Sequence, residues 1–246
     1  MAILEHEGWC PTCASRTVFR AEEPWLREHY RCLNCGSLPR ERALMAVIEA
    51  RFPGWRELVV HESSPVDRGV SARLARECPR YVPSQFFPGA TCGAVVDGVR
   101  CENLEALTFA DGSVDLHVTQ DVMEHLFHPE RAFRELARTL RPGGAHLFTV
   151  PIVNREQPSR RRARRTDDGR VEHLEAPVYH GNPVDDGGSL VTVDWGYDIC
   201  RHIHDACGLF TLVVQIDDPG RGIRGELLDV LATRRPGPGH ASVFEG

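Results

Sequence analysis

At 246 residues the chain can bury one sizeable core and still carry a small appended module, so two structural units are the upper bound. A formal net charge of −6 argues against a general nucleic-acid binder, whose footprint is a basic domain, although the 29 cationic side chains are all arginine. Residues 1–10 lack a basic stretch followed by an apolar one, and no run approaches the roughly eighteen apolar residues of a membrane span, so the expected location is cytoplasmic with no membrane partner.

The first motif is a pair of Cys-x-x-Cys turns, Cys10-Pro-Thr-Cys13 and Cys32-Leu-Asn-Cys35, at the spacing of a zinc ribbon. Each turn can present two thiolates to one metal, and Val18, Phe19, Trp25 and Tyr30 between them supply strand-forming bulk. Four thiolates close a tetrahedral sphere, so the expected zinc is structural, held by Cys10, Cys13, Cys32 and Cys35 in a module over residues 1–38. The rival reading is a redox Cys-x-x-Cys, which needs only one pair at the start of a helix. Cys78, Cys92, Cys101, Cys200 and Cys207 are scattered, and an odd total of 9 suits reduced thiols better than a disulfide framework.

Pro39 opens an amphipathic helix to Arg51 with Leu44, Val47 and Ile48 on one face, ended by Phe52-Pro-Gly54. A short apolar strand is expected over Glu57–His61, a helix over Val70–Glu77, and a second strand over Arg80–Pro83. Val114, Leu116 and Val118 then alternate with polar residues and run into Thr119-Gln120-Asp121, the way a core strand delivers a polar rim. Asp121 with Glu124 forms a capping-box pattern, which puts His125 inside a helix starting at Asp121, as a core or cap residue. Pro129 suits a first helical turn, and Phe133, Leu136, Ala137 and Leu140 follow at helical spacing. Arg141-Pro-Gly-Gly144 stops that helix before the apolar strand Ala145–Val150, completing a βαβ unit.

The stretch over 151–194 has no strong periodicity and is too long for a simple connection, so it reads as a lid over the ligand rim. It holds the arginine run Arg160, Arg161, Arg162, Arg164 and Arg165, which could bind phosphate or carboxylate groups, and then Tyr179, His180, Asn182 and Asp185 in a turn-rich segment. A helix over Trp195–Cys207 stopped by Gly208 follows, then strands over Phe210–Ile216 and Glu226–Thr233 as an antiparallel pair, and a Pro/Gly-rich tail over 236–246 that is expected to fray.

The run VDLHVTQDVMEHLFHPERAFRELARTLRPGGAHLFTVP resembles the strand 4, helix, strand 5 region of class I S-adenosylmethionine (SAM) dependent methyltransferases, of the type 11-like group, here with a zinc ribbon in front. The resemblance implies an α/β fold with a Rossmann-like, seven-stranded sheet over 39–235, with the lid inserted at 151–194. It implies transfer of a methyl group from SAM to a small-molecule acceptor, one that could be anionic if the arginine run recognises it. The turn after the first strand departs from the family's glycine-rich pattern: His61-Glu62-Ser63-Ser64-Pro65 stands there, with Gly69 further on. On the resemblance, Glu62 faces the cofactor's ammonium, Ser63 offers a hydroxyl, Gln85 takes the ribose hydroxyls in place of the usual acid, Asn103 and the Leu104 amide reach the adenine, and Gln120 lines the fourth strand's end. Asp121 and His180 are the candidate catalytic bases, with His125 and His128 as alternatives. Two other readings stay open: a methyltransferase-like binding protein that has lost the cofactor, and an RNA-modifying enzyme guided by the ribbon.

Overall fold

The computed structural model describes residues 1–181 and 187–237. The chain opens with β1 (Leu4–Cys10), β2 (Ser15–Ala21), α1 (Leu26–His29) and β3 (Arg31–Cys32), the three strands forming an antiparallel sheet in the order β1-β2-β3. Phe19, Ala21 and Tyr30 pack with Cys10 and Cys32 into a small core of its own.

Next come α2 (Pro39–Arg51), β4 (Val60–Ser63), α3 (Gly69–Glu77), β5 (Tyr81–Gln85), β6 (Val95–Val96), β7 (Val99–Cys101), β8 (Val114–Gln120), α4 (Pro129–Thr139) and β9 (Leu140–Thr149). The segment after β9 holds β10 (Arg160–Arg161), β11 (Ala163–Arg165), β12 (Val171–His173), β13 (Tyr179–His180), β14 (Ser189–Leu190) and β15 (Val193–Asp194), and the chain continues with α5 (Ile199–Cys207), β16 (Phe210–Val214) and β17 (Val230–Arg234). The main sheet has eight strands in the order β16-β17-β9-β8-β4-β5-β7-β6, one more than expected, because the short β6–β7 hairpin closes one edge. β5, β4, β8 and β9 run parallel, and β17 joins β9 antiparallel.

Both faces of the sheet are covered, which is what buried parallel strands require. On one side Val60, Leu116, Val118 and Leu147 pack under α2 and α3; on the other Phe148, Val150 and Leu231 pack under α4 and α5 through Phe133, Leu136, Ile199 and Ile203. Burying a leucine- or phenylalanine-sized side chain contributes about 2 kcal/mol, so these two layers are the main source of stability.

The helices at Pro39 and Pro129 begin where expected, each with proline in the first turn. The helix expected from Asp121 does not form. Asp121 adopts φ +52°, which breaks helical continuity, and only a 3-10 turn over Met123–His125 precedes α4. The helix expected from Trp195 starts at Ile199 and ends, as expected, at Gly208 in the left-handed conformation.

The lid segment is not irregular. β10 pairs with β15, β11 with β12 and β13 with β14, each antiparallel, so three small two-stranded sheets order the segment. Asn182 and Asp185, and positions 238–246 of the tail, lie outside the described residues.

The ribbon is docked tightly rather than tethered. Arg42 on α2 is fully buried; it donates to the carbonyls of Tyr30 (2.7 Å), Gly222 (2.6 Å) and Ser37, and stacks on Phe19 at 4.7 Å. Gly222, at φ +64°, lies flat against the Phe19 ring, and Gly8 lies against the Gly220 carbonyl; a Cβ at either would overlap those groups. Arg73 on α3 donates to the Pro11 carbonyl.

Candidate active site

β4 sits where the sheet reverses direction of growth, with β5 on one side and β8 on the other, and in open parallel sheets ligands bind beyond the carboxyl ends of the strands at such a switch point. The turn leaving β4 has no glycine until Gly69, yet Ser64 (φ +57°) and Gly69 (φ +58°) both take the left-handed backbone that such turns need. Gly69 begins α3 against the Glu41 carboxylate.

Glu62 and Gln120 come together at this rim. The Glu62 carboxylate is fully buried and accepts from Ser71 Oγ at 2.7 Å, Tyr81 Oη at 2.6 Å and Gln120 Nε2 at 2.7 Å. Burial raises its pKa, partly offset by those three donors. Three protein donors therefore already engage the carboxylate expected to face a cofactor ammonium, and they tie it to Gln120 and Ser71. Ser63 is nearly buried beside Ser84 and Thr119 in the sheet. Gln85 is half-buried at the end of β5, paired with Cys101, and Asn103 follows two residues later with its Oδ1 accepting the Glu105 amide at 2.9 Å. Leu104 is buried against Leu107 and Met123.

Asp121 is not placed to act as a base. Arg27 from α1 grips both its oxygens at 2.9 and 2.7 Å, Arg40 approaches at 3.0 Å, and Thr149 Oγ1 donates at 3.0 Å. Burial opposes ionisation, but these partners prevail and hold its pKa down at about 2. A carboxylate so stabilised takes up a proton poorly.

His180 lies beside Glu124 and His125. β13 carries it opposite Ser189 of β14, with Nδ1 at 3.7 Å from Glu124 Oε1, and the carboxylate raises its pKa. His125 lies at its side, the rings 5.2 Å apart and nearly perpendicular, and its Nδ1 meets the Leu190 carbonyl at 2.9 Å. The sequence pattern pointed to His180, with His125 as an alternative base set within a helix, and assigned Glu124 to a cap. That helix is absent, and Glu124 and His125 lie instead in the 3-10 turn over Met123–His125.

The arginine run is spoken for. Arg161 donates to the Phe127 carbonyl at 2.8 Å, Arg162 to Asp194 at 2.8 Å and to the Ala176 carbonyl, Arg160 pairs with Glu175 and Asp194, Arg164 with Glu172, and Arg165 stacks on Phe127. It therefore builds the lid, and its expected use as an anion site loses its main support.

At the ribbon tip the four cysteine sulfurs converge, Cys10 and Cys35 at 3.8 Å and Cys13 and Cys32 at 3.9 Å. Two sulfurs bound to one tetrahedral zinc lie about 3.8 Å apart, so the donor set and its spacing fit that ion. Ser37 Oγ touches Cys35 at 3.2 Å and receives Arg42, a supporting shell for the thiolates. The second described group with ligand atoms this close is Glu124, His125 and His180.

Residues 83–148 match the family model described as "Methyltransferase domain". Over the chain as a whole, the structure resembles a chain of the complex between the Haloferax volcanii Trm112 methyltransferase activator and a methyltransferase, with a TM-score of 0.50, 16% identity, and coverage of 82% of this chain and 92% of that one. The fold is the methyltransferase fold. Two curated proteins called "Uncharacterized methyltransferase" share segments with it: one from Mycolicibacterium gilvum (strain PYR-GCK), 43% identical over 47 residues, covering 19% of this chain and 18% of the relative, and one from Mycobacterium sp. (strain JLS), 33% identical over 87 residues, covering 33% and 34%. The chain thus spans about a third of the relatives' length at most. Both the resemblance read from strand, helix and strand and the α/β class of the methyltransferase fold are borne out. No helix among the described residues is long and apolar enough to cross a membrane.

Proposed function

We propose that this chain is an enzyme that transfers a methyl group from SAM to a small-molecule acceptor, with the cofactor at the carboxyl ends of β4, β5 and β8. The observation that carries the reading is that Ser63, Gln85 and Gln120 end the adjacent strands β4, β5 and β8 at the sheet's switch point, with Asn103 just beyond β7, in a methyltransferase fold. SAM supplies an electrophilic sulfonium methyl, whose C–S bond pair stays with sulfur as the acceptor's lone pair takes the carbon. The residues of the chain have only to align acceptor and methyl and to accept a proton where the acceptor carries one. In this reading Gln85 holds the ribose hydroxyls, Asn103 and the Leu104 amide hold the base, and Glu62 acts from behind by fixing Gln120.

Titration calorimetry with SAM tests it. One site per chain, weakened about tenfold by Gln85→Ala, is the expected result; no heat at any concentration would leave a methyltransferase-like protein without its cofactor.

The Glu124, His125 and His180 cluster is the proposed acceptor side, where the acceptor's proton is lost. His180→Ala should lower kcat on the order of a hundredfold while SAM affinity stays within twofold, measured by single-turnover kinetics and calorimetry once an acceptor is in hand.

The four cysteines at 3.8–3.9 Å support one structural zinc per chain in the ribbon over residues 1–38, ahead of a methyltransferase domain over 39–235 with its lid at 151–194. The cysteines outside the ribbon are free thiols, in keeping with a reducing cytoplasm.

A further inference from the structure

Glu124 is the least settled side chain in the cleft. It is 2% exposed, and among the described residues neither carboxylate oxygen has a hydrogen-bond partner. An ionised carboxylate without partners in such a place costs several kcal/mol, so something is expected to face it. Two imidazoles do, but at the wrong distance for hydrogen bonds: His125 Nε2 and His180 Nδ1 both lie 3.7 Å from Glu124 Oε1, beyond the 3.2 Å or so at which an N–H···O bond forms. Two ligands of one tetrahedral ion bound at about 2.1 Å stand roughly 3.4 Å apart, and the spacing here lies nearer to that arrangement.

The surroundings hold the three donors in this relation. His125 Nδ1 faces the Leu190 carbonyl at 2.9 Å, which fixes its proton on Nδ1 and leaves the Nε2 lone pair directed at the cluster. The Glu124 and Leu126 carbonyls are tied to Thr192 of the lid, by its amide at 2.8 Å and its hydroxyl at 2.6 Å respectively. His180 comes from the β13–β14 hairpin that also supplies the Leu190 carbonyl, so one lid element sets both imidazoles. All three ligand atoms lie within 4.8 Å of one another.

We propose that Glu124, His125 and His180 bind a divalent first-row transition ion at the acceptor side of the cleft. Two imidazoles and one carboxylate form a donor set suited to such ions, and three protein ligands leave positions open for outside oxygen or nitrogen. His180 is half-exposed, so the cluster is reachable from solvent. The ion's further use rests on the methyl-transfer reading: an acceptor hydroxyl bound there would lose its proton to water at a lower pH than when free.

The test is a metal count on purified chain equilibrated with ZnCl2, and separately with MnCl2, then freed of excess ion. The native chain should hold one more ion than Glu124→Gln and one more than His180→Ala, with the ions left in each variant being those of the cysteine cluster, which also report that it has folded. Equal counts in all three proteins under both metals would overturn the site, as would persistence of the additional ion in both variants. SAM calorimetry on the same samples is independent. Loss of SAM binding with the extra ion retained would sink the methyl-transfer reading and leave the metal site standing; the reverse result would do the opposite.

Discussion

Replacing Glu62 with alanine strands three donors at once, because Ser71, Tyr81 and Gln120 all converge on its carboxylate. The expected loss is about 3 kcal/mol of folding stability by urea denaturation, with Glu62→Gln losing less because it keeps the side chain's shape. A stability unchanged in Glu62→Ala would mean that the buried carboxylate fixes nothing. This role was hidden in the sequence, since Tyr81 and Gln120 reach Glu62 only through the pairing of β4 with β5 and β8, and a turn residue after a strand gives no sign of what neighbouring strands bring to it. His180 was legible as a polar residue in a turn-rich segment leaving the rim. Its companion Glu124 was not, and His125 stood only as an alternative base inside an expected helix, because the Asp121–Glu124 pair reads as a capping box while the arginines that actually hold Asp121 lie far away in sequence.

At the level of elements, the boundaries that rest on local chemistry could be read directly: the prolines opening α2 and α4, the cysteine turns of the ribbon and the glycine ending α5. What could not be read is how the ribbon meets the sheet, because that junction is made by arginines donating to backbone carbonyls, which leave no pattern. Arg42 and Arg27 show the consequence. Arg27 ties α1 to the Leu227 carbonyl at 3.0 Å as well as to Asp121, so the ribbon is anchored at the carboxyl end of β8. Cys32→Ser should therefore lower the thermal midpoint of the whole chain in a single transition and weaken SAM binding, rather than melt the ribbon alone. Two separate transitions in calorimetry, the second at the native temperature, would show the ribbon to be energetically independent.

The molecule as a whole carries a line of buried histidines through the middle of its sheet. His61 Nδ1 meets His117 Nδ1 at 2.8 Å, their outer nitrogens meet Ser84 and Thr139 at 2.8 Å each, and His146 meets Thr119 at 3.0 Å. Burial is the main cause that lowers all three pKa values, to about 3 for His61 and His146 and well below 6.5 for His117, with Arg100 adding to the effect at His61 and the histidines repelling one another. The unfolded chain, titrating near 6.5, binds more protons than the folded one below that pH, so stability falls as pH drops from about 6.5 toward 3. The slope should reach about 4 kcal/mol per pH unit if the three act together, roughly 1.4 for each. Urea midpoints measured between pH 8 and pH 4 check this; a decline beginning only near pH 4 would assign acid lability to carboxylates such as Asp121 instead. The ribbon's docking has a different consequence, in the order of events as the chain is made. Its cysteine cluster is complete by Cys35, but the carbonyls of Leu227 and Gly222 to which Arg27 and Arg42 donate lie 200 and 180 residues further along than those arginines. A nascent chain can therefore close its cysteine knuckles early, with Arg42 holding only the nearby Tyr30 and Ser37 carbonyls until the segment between β16 and β17 emerges, so the ribbon folds before it docks.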